Sequence, residues 1–217
     1  MAAGRPPTDR VRFSLAGVQE KLALARDPAS GAFLLPRHGA PTTWLAKVEP
    51  PRGSYRGIVA NEALCLEVLR RLGLPVVHAE RTIIGGLPVL LIARYDRVIS
   101  DGLVVRRHQE DAAQLLGVPR ELKYEADAEK AGIPADRRGF AGLLGRFAEL
   151  TRTPVDTRLM LVRAAQANWL LGNSDAHLKN FAVMHGEASF GRRFGGQLGF
   201  GLDLAPLYDV GLRRRVS

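Results

Sequence analysis

GNSDAHLKNFAV, residues 172–183, sets a carboxylate (Asp175), an imidazole (His177), an ammonium (Lys179) and an amide (Asn180) in one short polar loop. The apolar, helix-like run VRAAQANWLL leads into it, and the strand-like FAVM leads out. The Asp-x4-Asn spacing suits phosphoryl transfer, which needs an acid to orient or deprotonate a hydroxyl and an amide oxygen for Mg2+. A second carboxylate for the metal should then follow a further strand, and LAPLYDV supplies Asp209. Asp and Asn are also the commonest turn residues, so the spacing decides nothing until other parts of the chain are matched to it.

Composition narrows the field. The 217 residues suffice for one domain, or for two small lobes sharing a cleft. Hydrophobic residues at 46% with 24% charged describe a globular chain, neither disordered nor membrane-spanning. The N-terminus MAAGRPPTDR has no apolar core of a signal peptide, and Cys65 is the only cysteine, which together predict a reducing, cytoplasmic setting without a disulfide. Cys65 falls in NEALCLEVL on an apolar helix face and reads as core. The excess of 31 Lys+Arg over 22 Asp+Glu gives +9, a balance that suits polyanions such as nucleotides, RNA or DNA. The arginines are scattered, so charge alone does not separate a nucleotide site from a nucleic-acid surface.

Residues 1–10 read as a flexible lead-in. VRFSL, AGVQEK and LALA then read as strand, loop and strand, and a small-residue loop of this kind can fold its N–H groups over phosphates or be an ordinary hairpin. FLL and TTWLAKV are further strands. Lys47, inside the second, is costly to bury without a partner. A helix is predicted over 58–72, with Gly73 at its C-terminal cap and Pro75 beyond. It offers Glu62 and Glu67 to Lys47, the strand-lysine and helix-glutamate pair that positions ATP phosphates in kinases. Two strands around Gly85-Gly86 form a hairpin ending in ARYDR.

Beyond Asp101 the pattern turns helical. HQEDAAQLLGV and GFAGLLGRFAEL read as amphipathic helices, and the polar stretch ELKYEADAEKAGIPADRRG between them as a long surface loop. DTRLMLVRAAQANWLLGN is apolar nearly all round and is expected in the middle of a lobe, where a rigid element would present the loop at Asp175. HGEASFGRRFGGQLGFG has no periodicity and reads as irregular. The five histidines are dispersed without zinc-type spacing, which leaves His177 as the one with a claim to function.

Taken in order, FSLAGVQEKLAL, WLAKVEP, NEALCLEVLRRLGLPV, RYDR, HQEDAAQLLGV, KYE, NWLLGNSDAHLKNF and LAPLYDV resemble the catalytic core of the HipA-like serine/threonine kinases, toxin kinases of bacterial toxin–antitoxin systems. The resemblance implies an α+β, two-lobed protein-kinase-like fold. A sheet lobe with one helix would occupy 11–96, and a mostly helical catalytic lobe 97–217. It implies ATP and Mg2+ as cofactors and Asp175 as the catalytic acid. Asn180 and Asp209 would hold the metal, and Lys47 the phosphates. Ala16, Gly17, Val18, Gln19, Glu20 and Lys21 would form the loop over those phosphates, and Ala93, Arg94 and Tyr95 the hinge around the base. His177 and Lys179 would lie near the γ-phosphate, where a cation offsets developing charge. Ser14 matches a loop serine that some members phosphorylate, and phosphate there would repel the nucleotide's own phosphates.

The resemblance further implies a protein substrate in translation, such as an aminoacyl-tRNA synthetase, and a DNA-binding antitoxin partner, so that contact with DNA is indirect. Family members usually carry an extra N-terminal subdomain, which in split systems is a separate small protein. They also continue past the YDV block, so the catalytic lobe is expected to be incomplete. Two other readings stay open at this point: a non-catalytic subunit that binds nucleotide or antitoxin, and a basic nucleic-acid-binding module.

Overall fold

Short, largely apolar strands pair here so that two lysines are set against a helix. In a computed structural model, residues 21–36, 40–50, 56–186, 193–194, 197–198 and 201–211 are described. The first sheet is antiparallel and five-stranded, in the order β2-β1-β3-β5-β4. Its members are β1 (Lys21–Arg26), β2 (Phe33–Leu34), β3 (Trp44–Val48), β4 (Ala79–Ile84) and β5 (Leu87–Ala93). β5 is buried on both faces, as its unbroken apolar run predicts. Leu90 and Ile92 join the main core, while Val89 and Leu91 pack on the other side with Leu24, Trp44 and Ala46.

The single helix of this part, α1 (Ile58–Arg71), buries Val59, Glu62, Cys65, Leu66 and Leu69. That i, i+3, i+4 stripe lies against the sheet. Burial of Leu66 and Leu69 contributes about 1.5–3 kcal/mol each. The helix stops as predicted. Gly73 takes the left-handed φ of +73°, Leu74 N–H bonds the Leu69 carbonyl at 3.0 Å and Gly73 N–H the Arg70 carbonyl at 3.0 Å.

A short hairpin follows, β6 (Arg97–Ser100) with β7 (Leu103–Arg106). Then comes β8 (Gln109–Asp111), leading directly into α2 (Ala112–Leu115), which Asp111 caps by accepting from Gln114 N–H at 2.9 Å. The helix read in HQEDAAQLLGV is therefore only its second half. The first half pairs with β9 (Ala182–His185), because Glu110 and Asp111 carry side chains wanted on opposite faces.

The expected loop over 121–139 is instead folded. It holds α3 (Glu125–Lys130) and 3-10 turns at Arg120–Leu122 and Ala135–Arg137. Ala128 is fully buried, and the Arg137 guanidinium donates to the carbonyls of Leu116 at 2.8 Å and Gly117 at 2.7 Å. Polar composition concealed this because the anchors are arginines bonding to backbone rather than apolar side chains. α4 (Gly139–Gly142) runs on through a π-helical turn at Leu143–Phe147.

α5 (Pro154–Leu170) begins with Pro154 at its first position. It buries Thr157, Leu161, Ala164 and Ala167, while Val155, Leu159, Trp169 and Leu170 are exposed. The expectation of an enclosed helix is thus corrected: among the described residues only one stripe is covered. β10 (Arg193–Phe194) pairs with β11 (Gln197–Leu198), and β12 (Leu202–Leu204) joins β9 and β8 in a three-stranded antiparallel sheet. No helix among the described residues is long and apolar enough to cross a membrane.

One core runs through both parts. Leu66, Leu69, Leu90 and Ile92 belong to the same buried cluster as Leu161, Leu178, Val183, Leu202 and Leu207. Backbone ties reinforce it: Val77 N–H bonds the Leu207 carbonyl at 3.0 Å, and Leu207 N–H the Pro75 carbonyl at 2.8 Å. The segment carrying Asp209 is thereby sewn to the chain just after α1.

Candidate active site

Register explains the centre of the site. In the sheet Lys21 lies opposite Lys47, and Lys47 opposite Leu90, so both lysines share the face that looks toward α1. Lys47 and Glu49 alternate onto that same face. Lys47 Nζ meets Glu62 Oε1 at 2.5 Å and also bonds Asp209 Oδ1, while Lys21 Nζ lies 3.7 Å from Asp209 Oδ2. Glu62, not Glu67, is the partner of the strand lysine. Glu67 is taken by Arg70 and Arg71 at 2.8 Å each, one turn further on.

Glu49 fixes the helix that carries Glu62. The N-terminal Gly57 supplies no side chain to cap α1, and the Glu49 carboxylate accepts instead from Gly57 N–H at 2.9 Å and Val59 N–H at 3.3 Å. This role went unread in WLAKVEP, although Glu49 stands two residues past Lys47.

Lys47 and Glu62 are only 4% and 5% exposed. Burial is the largest influence on Lys47 and pushes its ammonium down, but Glu62 and Asp209 outweigh it and hold the group charged, above its ordinary value. Burial likewise pushes Glu62 up, against the pull of Lys47. Two ammonium groups and two carboxylates thus balance, and a single substitution leaves an uncompensated charge. Asp209 itself adopts φ +56°, an uncommon backbone state for a non-glycine residue that Asp tolerates better than most.

The loop that opened the sequence reading sits at the end of α5. Asp175 accepts a hydrogen bond from Tyr124, and its N–H donates to Asn173 Oδ1 at 3.2 Å. Asn180 Oδ1 accepts from His177 N–H at 2.9 Å. Lys179 Nζ bonds Asp111 Oδ2 at 2.5 Å. Tyr208 donates to the Lys179 carbonyl at 2.8 Å, which joins the loop to the residue before Asp209. Burial first, then the Lys123 charge, lowers the His177 pKa against the pull of Asp175, so its imidazole is neutral near pH 7.

At the end of β5 the backbone is already engaged. Ala93 N–H donates to the His78 carbonyl and Arg94 N–H to the Thr43 carbonyl, both at 2.9 Å. The Arg94 guanidinium grips Asp96 at 2.8 and 3.0 Å and Thr42 at 2.8 Å, and Arg97 bonds Asp96 from the other side. Tyr95 stacks on Tyr208, with centroids 5.8 Å apart and planes at 29°. Both rings pack against Ala182, Met184 and Ala205. Burial raises the Tyr95 phenol to about 12, which keeps it a hydrogen-bond donor, and it donates to Gln109.

The structure thus joins Lys21 and Lys47 to Asp209, and ties Tyr208, the residue before Asp209, to Tyr95 and to the Lys179 carbonyl in the loop that also carries Asp175 and Asn180. Residues Asp111, Tyr124 and Tyr208 were missed individually, although each stands in a quoted block (HQEDAAQLLGV, KYE and LAPLYDV). Ser14, Ala16, Gly17, Val18, Gln19 and Glu20 lie outside the described residues, as do the lead-in 1–10, the strand read in VRFSL and most of 187–200.

Comparison with known proteins places this arrangement. Residues 13–214 match the family described as the HipA-like C-terminal domain. The chain belongs to that family. It is 37% identical over 201 residues to the Sinorhizobium fredii protein Y4mE, covering 92% of this chain and 42% of that protein. It is 31% identical over 175 residues to the serine/threonine-protein kinase toxin HipA of Shewanella oneidensis, covering 79% of this chain and 39% of HipA. The solved complex of Shewanella oneidensis HipA with HipB and operator DNA contains a chain that superposes with a TM-score of 0.72 at 28% identity. That match covers 93% of this chain and 44% of that one. The Helicobacter pylori proinflammatory kinase CtkA matches at TM-score 0.50 and 16% identity, over 89% of this chain and 52% of CtkA, which speaks to the fold alone. The chain spans about two fifths of the length of the curated relatives it matches. Its fold is two-lobed and protein-kinase-like, and its family is a kinase family.

Proposed function

We propose that this chain is an ATP- and Mg2+-dependent protein serine/threonine kinase core of the HipA-like toxin type. The observation that carries the reading is the buried contact of Lys47 with both Glu62 and Asp209, which unites strand, helix and distant loop at one point. Phosphoryl transfer depends on positioning and charge stabilisation more than on covalent chemistry, and a rigid, charged constellation of this kind supplies both. Lys47, with Lys21 beside it, presents cationic charge to the nucleotide phosphates. The apolar wall of Tyr95, Tyr208, Ala182, Met184 and Ala205 receives the base. With the Ala93 and Arg94 N–H groups engaged within the fold, base recognition rests on that wall and on what remains of the segment around Tyr95.

Asp175, oriented by the Tyr124 hydroxyl, accepts the proton of the substrate serine or threonine as its oxygen attacks the γ-phosphorus. Lys179, set by Asp111, offsets charge on the transferring group. Asn180 and Asp209 fit a hard cation: both offer oxygen, and Asn180 Oδ1 uses one lone pair on His177 N–H and keeps the other. When bound, Mg2+ would neutralise charge on the phosphates. The likeness to a HipA that is bound to HipB and operator DNA supports an antitoxin partner for this chain, through which contact with DNA would be indirect. A hydroxyl of a protein, including Ser14 of the chain itself, is the acceptor class.

The test pairs binding with turnover. Lys47→Ala should weaken Mg2+–ATP binding at least tenfold in calorimetric titration, whereas Asp175→Asn should bind within about threefold of the parent and release no ADP. Unchanged affinity in Lys47→Ala would remove the phosphate role. ADP release by Asp175→Asn at the parent rate would remove the catalytic one.

A further inference from the structure

The sheet that presents Asp111 toward Lys179 has a second face, and that face carries a different chemistry. His108 and Glu110 are two apart along the strand, so both point to the side opposite Gln109 and Asp111. Across the ladder His185 N–H bonds the His108 carbonyl at 2.9 Å, which places His185 directly opposite His108 on the same side. His185 Nε2 lies 2.7 Å from Glu110 Oε2, and the two imidazole centroids are 4.6 Å apart. The three donor atoms all fall within 4.8 Å of one another. The dispersal of histidines in the sequence concealed this, because antiparallel pairing of distant strands makes the cluster.

We infer that His108, Glu110 and His185 form a binding site for a divalent transition-metal ion of the zinc type. Two imidazoles with one carboxylate are a zinc ligand set, and nitrogen donors do not suit Mg2+, which separates this site from Asn180 and Asp209. Zinc bonds of roughly 2.0–2.1 Å to nitrogen and oxygen put ligand atoms about 3.4 Å apart, within reach of small side-chain rotations from the spacing seen here. On binding, the ion takes the place of the hydrogen bond between His185 Nε2 and Glu110 Oε2, and the neutral imidazole carries its proton on Nδ1. His108 is exposed, so the fourth position is open to water. The ion clamps β8 to β9, whose opposite face holds Asp111, Ala182 and Met184 in the candidate active site.

Zinc titration of the full chain, followed by calorimetry with ZnCl2 after chelator treatment, tests this. The parent should bind one Zn2+ with a raised melting temperature. His108→Ala and His185→Ala should each weaken binding at least tenfold, and Asp209→Asn should leave it unchanged. Co2+ added to the parent alone should show the visible bands of four-coordinate cobalt, a reading that does not depend on how well any variant folds. No stoichiometric Zn2+ binding by the parent, only six-coordinate cobalt bands, or unchanged affinity in both histidine variants overturns the site. Loss of Zn2+ binding in Asp209→Asn would move the ion to the nucleotide cleft and overturn it equally.

Discussion

Asp96 shows how one side chain holds the junction between the two parts of the molecule. It is 8% exposed and bonded by Arg94 and Arg97. Burial alone would raise its pKa, but the two guanidinium groups reverse that and hold the carboxyl below its ordinary 3.8. A carboxyl lowered on folding contributes stability that is complete above its unfolded value and is lost as pH falls through the folded one. Asp96→Asn should therefore cost about 2 kcal/mol at pH 7. The gap between parent and variant in urea unfolding should close as pH drops from about 4 downward. A gap that is constant from pH 7 to pH 3 would contradict the charged pairing. At this scale the sequence was informative where residue type is restrictive: a lysine amid apolar strand residues demanded a carboxylate, and Lys47 has two. It was silent on Glu62 against Glu67, because a helix offers both and only the register of α1 on the sheet selects one. It was silent on the lowered His177 pKa for a related reason, since burial and the Lys123 charge are properties of the fold.

Elements were legible where a boundary has a chemical signature. Gly73 ends α1 and Gly85-Gly86 turn the β4–β5 hairpin, each at its expected place, while α5 opens at Pro154, two residues before the Asp156 at which its apolar run was read. What escaped were elements held by polar anchors, such as α3, and strands as short as β8. Two predictions belong here. Glu49→Ala removes the carboxylate that receives Gly57 and Val59 N–H and should cost about 1 kcal/mol. By loosening α1 against β3 it should also weaken ATP binding severalfold, and an unchanged ATP affinity would separate the cap from the Lys47–Glu62 pair. Gly142 lies where a Cβ would come within 2.8 Å of the Arg137 backbone and 3.2 Å of Leu116. Gly142→Ala should accordingly lower stability by about 1–3 kcal/mol in thermal unfolding, and an unaltered melting temperature would show that the 135–142 segment packs less closely.

Across the whole molecule the organising contact joins residues far apart in sequence. Lys47 and Asp209 meet because one core passes from α1 and β5 into β9 and β12, and because Leu207 is bridged to the backbone at Pro75 and Val77. Spacing within the 172–183 loop suggested phosphoryl transfer, but the convergence of that loop with Lys47 could not be read from spacing. The order of the blocks along the chain and their family likeness implied it, and the fold links the two through Asp209, which Lys47 bonds, and Tyr208, which bonds the Lys179 carbonyl. If this constellation is a kinase site, transfer must depend on Asp175 and must be visible on a hydroxyl. The most direct measurement is intact-mass spectrometry of the folded, initially unphosphorylated chain after incubation with Mg2+ and ATP, beside Asp175→Asn. If Asp175 serves phosphoryl transfer, the parent alone gains phosphoryl mass, with Ser14 as the mapped acceptor. No gain in a parent that binds ATP, or an equal gain in Asp175→Asn, would contradict it.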